Sequence, residues 1–129
     1  MEYINEGMIV QKMKEYLQEN GWEKPDENYP MNRLTNADIS QYVDLVAKTN
    51  DKVIMIECKG DSPERRKHIQ DLYIVFGQVI FLLPLNPNEE VGIAIPSYWK
   101  DKLIIKKYFN KIFRQNIRIF LISENIIEY

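Results

Sequence analysis

Tyr42-Val-Asp-Leu-Val-Ala-Lys48 and Val53-Ile-Met-Ile-Glu-Cys-Lys59 are two apolar, strand-like stretches separated only by Thr49-Asn50-Asp51-Lys52. Such runs on either side of a short polar turn predict an antiparallel hairpin. A symmetric hairpin closing on Asn50-Asp51 pairs Lys48 with Val53, Leu45 with Ile56, and therefore Asp44 with Glu57. Directly opposed residues place their Cβ atoms ~5 Å apart, and like charges there repel. Lys59 lies two residues past Glu57, so the strand period of two returns it to the same face. Two carboxylates and a lysine on one face of an otherwise apolar hairpin need a physical reason. A divalent cation between the carboxylates supplies one. The bland alternative is a salt-bridge cluster in which Lys59 neutralises the acids and nothing binds.

Outward from the hairpin, residues 3–20 carry Ile4, Met8, Ile9, Met13, Tyr16 and Leu17 at helical spacing, with Asn20-Gly21 as a stop. The polar stretch 23–41, with Pro25 and Pro30, reads as a long loop with room for a short edge strand. On the other side, Ser62-Pro63 predicts the N-cap and first position of a helix running to about residue 82. Val91-Gly-Ile-Ala-Ile95 reads as a buried strand, Pro96-Ser97 opens a further helix to about Arg114, and Ile117–Ile122 reads as a last strand. The hairpin and strand 91–95 are apolar on both faces, as in a sheet covered by helices on both sides. The order predicts a mixed α/β sandwich.

Length and charge narrow the classes. A chain of 129 residues suits one compact domain. Its formal net charge of −2 gives no gross support to nucleic-acid binding, so such a function must rest on local charge. The single cysteine, Cys58, excludes an internal disulfide and fits a reducing cytoplasm. The first residues do not have the basic-then-apolar pattern of a signal peptide. The longest apolar run, Val79–Leu83, falls far short of a membrane span and is followed by Pro84. A soluble cytoplasmic protein is expected.

A hard cation such as Mg²⁺ (or Mn²⁺) takes oxygen ligands from one or two carboxylates and keeps several waters. Asp44 and Glu57 would supply the carboxylates, and the carbonyl of Cys58 a neutral oxygen. Lys59 would orient a bound water or stabilise charge developing on an attacked phosphate. These parts describe metal-assisted phosphodiester hydrolysis.

At these residues the chain resembles the PD-(D/E)xK, or restriction-endonuclease-like, nuclease superfamily, with Asp44 as the first acid and Glu57-Cys58-Lys59 as the tripeptide. The usual proline is missing, since Val43 precedes Asp44. The likeness is nearest to the XisH family of DNA-element excision controlling factors. It rests on Gly21-Trp22, Tyr42-Val-Asp-Leu45, Ile69-Gln-Asp-Leu-Tyr-Ile-Val-Phe-Gly-Gln78, Ile93-Ala-Ile-Pro96 and the terminal Ile-Ile-Glu-Tyr129. The resemblance implies a three-layer α/β/α core of the order αβββαβ, with an added helix and strand. It also implies a glutamate in the first helix supporting the metal, with Glu6 the candidate and Glu15 behind it, and an active-site glutamine at Gln78. Glu6 is equally explained by the attraction of a helix N-terminus for acids, and Gln78 by a structural hydrogen bond to backbone.

Several other residues read as ordinary. His68, beside Arg65, Arg66 and Lys67, fits a solvated helix start. Cys58 points away from Glu57 and fits core packing. Trp22 and Trp99 fit the core. The set Lys100, Lys102, Lys106, Lys107, Lys111, Arg114 and Arg118 is one-sided, yet lysine-rich solvated faces are common. The leading expectation is a Mg²⁺-dependent DNA endonuclease linked to excision or resolution. Having no room for a recognition domain, it would act as a homodimer or with a partner recombinase or accessory protein. The competing expectation is a non-catalytic XisH-like factor that binds DNA or a recombinase.

Overall fold

The computed structural model describes residues 3–30, 42–61, 74, 75, 77, 88–100 and 117–129. Helix α1, Glu6–Glu19, begins at Asn5, whose Oδ1 accepts a hydrogen bond from the Met8 N–H at 2.9 Å. Ile9, Met13 and Leu17, four residues apart, form its buried face. Met8, predicted to share that face, is exposed, because it falls off the four-residue row. The helix ends where expected. Gly21 takes φ +88°, Trp22 N–H reaches Leu17 O at 2.9 Å and Gly21 N–H reaches Gln18 O at 3.2 Å. That pair of bonds requires a left-handed residue, which glycine adopts without penalty.

Among the described residues six strands follow: β1 (Glu23–Pro30), β2 (Tyr42–Lys48), β3 (Val53–Cys58), β4 (Glu89–Pro96), β5 (Ile117–Ile122) and β6 (Ile126–Glu128). They lie side by side in chain order, and only β3–β4 and β4–β5 are parallel. The result is a mixed α/β sheet, as predicted. Strand β1 takes the place the sequence left open for an edge strand and is longer than expected: eight residues pair antiparallel with β2, across an irregular register between Glu23 and Asp26. Its prolines are tolerated because β1 is an edge strand and one side needs no main-chain donors. The expected helices over 62–82 and 96–114 lie mostly outside the described residues. Residues 74, 75 and 77 are helical, and 97–100 form a 3₁₀ turn.

The central strands bury both faces. On the α1 side, Leu45, Ala47, Ile54, Ile56 and Phe120 pack with Ile9, Met13 and Leu17. Here β4 offers only Gly92 and Ala94, and the ring of Phe120 fills the room. A Cβ on Gly92 would lie 3.0 Å from Phe120 Cε2. Tyr16 meets that ring edge-on at 5.8 Å. On the opposite face, Val46, Met55, Val91, Ile93, Ile119 and Leu121 pack with Val75 and Trp99.

Candidate functional site

The hairpin register is the one its sequence predicts. Lys48 pairs with Val53, Ala47 with Ile54, Val46 with Met55 and Leu45 with Ile56. One step further, side chains replace main-chain pairing. The Cys58 N–H, which faces β2, donates to Asp44 Oδ2 at 2.8 Å. The Glu57 carboxyl in turn bonds both the side chain and the main chain of Asp44. Each acid thus reaches across to the neighbouring strand, and the two carboxyls meet.

Glu57 is the buried charged residue among those described, with 4% of its surface exposed. Its pKa is pushed up to about 9, chiefly by burial and then by the charge of Asp44, a hydrogen bond between the two carboxyls and the charge of Glu6; the Asp44 main chain acts in the opposite sense. Asp44 is half-buried. Lys59, also half-buried, continues β3 for one residue, its N–H bonding Ala94 O at 3.0 Å.

Glu6 enters from the first turn of α1. Its side chain is exposed, yet its pKa is raised by partial desolvation and by Asp44, and lowered by Lys59. Glu6, Asp44, Glu57 and Lys59 therefore share one electrostatic neighbourhood. Glu15 does not belong to it, since it lies more than two turns along α1 and accepts a hydrogen bond from Gln11. Gln78 and His68 lie outside the described residues.

Among the described residues, no three His, Cys, Asp or Glu side chains converge as a ready-made metal cage. The donor set still suits a hard, hydrated cation. Two carboxyls in contact cannot both carry a charge without a proton or a cation between them. The Cys58 carbonyl, on the same side of its strand as the N–H that bonds Asp44, adds a neutral oxygen. Glu6 stands off and would act through water. The Cys58 thiol is fully buried in the α1-side cluster, and burial, Asp44 and Glu57 push its pKa up. It packs the core, as expected.

Two members of the expected basic set are engaged within the chain. Arg118 pairs with Glu128, lies 3.6 Å from Glu90 and covers the Phe120 ring. The Lys100 ammonium sits 5.3 Å above the ring of Tyr129. The other five members lie outside the described residues. Trp22 and Trp99 serve the two core clusters, as predicted. No described helix is long and apolar enough to cross a membrane.

Neither a family profile nor a curated protein matches the sequence. Solved structures do match. An XisH family protein from Nostoc punctiforme PCC 73102 superposes with a TM-score of 0.62 at 18% identity, over 92% of this chain and 95% of that one. An fdxN element excision controlling factor protein from Anabaena variabilis gives 0.63 at 15% identity, with the same coverage. The chain has the fold of these XisH structures. The mixed sheet, its α1 cover and the hairpin carrying Asp44 and Glu57 are this chain's version of that fold.

Proposed function

We propose that Asp44, Glu57 and Lys59 form a Mg²⁺- or Mn²⁺-dependent centre for hydrolysis of DNA phosphodiesters, of the PD-(D/E)xK type, in an XisH-like protein of DNA-element excision. One observation carries the reading: Glu57 is buried against Asp44 at the open end of the hairpin, with Lys59 alongside. Burying a carboxyl beside a second one is costly unless a charge arrives to compensate it. A bound divalent cation supplies Lewis acidity and a water acidified toward neutral pH. Asp44 and Glu57 would hold the ion, and the Cys58 N–H fixes the orientation of Asp44. Lys59 donates to phosphate oxygens as negative charge builds on them. Glu6, coupled electrostatically to Asp44 and Lys59, would accept a hydrogen bond at the edge of the site. A homodimer or a partner protein would contribute to the grip on DNA.

A second reading keeps the same fold as a non-catalytic factor acting on a recombinase or on DNA. It is favoured by the name of the Anabaena neighbour, which speaks of controlling excision, and by the engagement of Arg118 and Lys100 within the chain. Supercoiled plasmid with Mn²⁺ separates the two. The nuclease reading expects nicking that falls at least about 100-fold in folded Lys59→Ala and Asp44→Ala variants. Mn²⁺ binding in calorimetry without any nicking supports the second reading. Absence of Mn²⁺ binding overturns the metal centre itself.

A further inference from the structure

We propose that Asp61 is a positioning residue for Glu6, holding the first turn of α1 against the open end of the hairpin; this inference rests on the metal-centre reading above. Past Lys59, the chain is tied to the residues just before α1. Asp61 N–H donates to Ile4 O at 2.7 Å, and Asp61 Oδ2 accepts the Ile4 N–H at 2.9 Å. Its other oxygen, Oδ1, accepts the indole N–H of the fully buried Trp99 at 3.3 Å. One carboxylate thereby joins the exit of β3, the entry of α1 and the turn after β4.

Gly60 makes the clamp close-fitting. A Cβ there would lie 2.4 Å from Asn5 C and from Glu6 N, both main-chain atoms that no rotamer change can move. The backbone of Gly60 therefore lies directly against the residue coupled electrostatically to the site, and Asn5 bridges to Asp61 in parallel pairing. Glu6 hangs from a main chain that Gly60 touches and Asp61 bonds. Its other anchor is the Asn5 cap, which belongs to the same short segment. Asp44 raises the Glu6 pKa and Lys59 lowers it, while Asp61 bonds the main chain from which Glu6 hangs. Outer groups that orient ligands typically cost 10–100-fold in metal affinity when removed.

The test is a double-mutant cycle on the full chain, read as Mn²⁺ affinity by calorimetry well below each variant's melting temperature. Glu6→Gln is expected to weaken Mn²⁺ about 10-fold, at the low end of that range. Asp61→Asn, which places an amide against an Ile4 N–H or the Trp99 indole, should weaken it by nearly as much. The double variant should be no weaker than Glu6→Gln alone, because Asp61 has nothing left to position. A purely electrostatic pull of Asp61 on the cation would persist without Glu6, so losses that multiply overturn the proposal. Wild-type affinity in folded Asp61→Asn overturns it too, whatever happens to the melting temperature. If Asp61→Asn does not fold, Trp99→Phe, which removes the indole donor together with part of a buried ring, decides by the same comparison in the folded variant, with a smaller expected loss. A wild-type chain that binds no Mn²⁺ sinks the metal centre and this inference together. Wild-type binding with an indifferent Asp61 sinks this inference alone.

Discussion

The turn end and the open end of the β2–β3 hairpin are built from different forces. At the turn end, Ala47 and Ile54 pair across the ladder, buried on both strands, and the loop closes through Thr49 and Lys52. At the open end the main-chain ladder gives way to Asp44 bonding Cys58 and Glu57 bonding Asp44. Apolar burial at one end stabilises the fold in a way indifferent to ions. The other end concentrates like charge in a place where only a proton or a cation relieves it. A single supersecondary unit thus separates stability from chemistry along its length of a few residues. The rigid end fixes where the carboxyls stand, which is what a preorganised site requires.

The largest expected effect on stability lies at the turn end. Ile54 is fully buried against α1, and Ile54→Ala should lower the unfolding free energy by about 2–5 kcal/mol in denaturant titration. Mn²⁺ affinity, measured where the variant remains folded, should stay at the wild-type value. A matching loss of affinity would break the separation of the two ends.

The hairpin was legible in its sequence because two apolar runs and a short polar turn leave one register in which both faces stay buried. The meeting of Asp44 with Glu57 follows from that register. That each acid would bond the opposite strand's main chain was not legible, since it depends on where the ladder opens. Strand β1 was legible only as room for a short edge strand, because Pro25, Asp26, Asn28 and Pro30 are poor strand formers; it exists because the edge of β2 offers a ladder, a tertiary influence that overrides propensity. The nearness of Glu6 to the site came from the family resemblance, because no local pattern says where a helix will dock. Asp61 read as a turn residue for the same reason: its partners Ile4 and Trp99 are distant in sequence.

A pH-dependent effect, of opposite kind, is expected at the open end. In the folded chain Glu57 titrates near 9, against 4.5 for an ordinary glutamate. Between those values the folded state keeps a proton that the unfolded state has released. Stability contributed by Glu57 is therefore complete below about pH 4.5 and is lost as pH rises toward 9. The slope reaches at most about 1.4 kcal/mol per pH unit. Metal-free wild-type protein should lose stability relative to Glu57→Gln across that window, measured by denaturant unfolding at a series of pH values. Saturating Mn²⁺ should flatten the difference by replacing the proton. Parallel pH profiles for the two proteins would show that the carboxyl is neither buried nor crowded as the structure has it.

The smallest effect returns to the turn. Thr49 Oγ1 accepts the Lys52 N–H at 3.1 Å and lies 3.3 Å from Asp51 Oδ1, while the Thr49 N–H bonds Lys52 O at 2.8 Å. Thr49→Ala removes the side-chain bonds and leaves the main-chain one, at an exposed position where water can replace what is lost. The expected cost is about 0.5–1 kcal/mol, seen as a small shift of the denaturation midpoint with an unchanged slope. The pH profile should move down uniformly, keeping the slope that Glu57 imposes, because the two ends communicate only through a fully paired ladder. Should Thr49→Ala also alter that slope, loosening at the turn would be reaching Asp44 and Glu57. The hairpin would then be one flexible lever, and the division of labour between its ends would have to be abandoned.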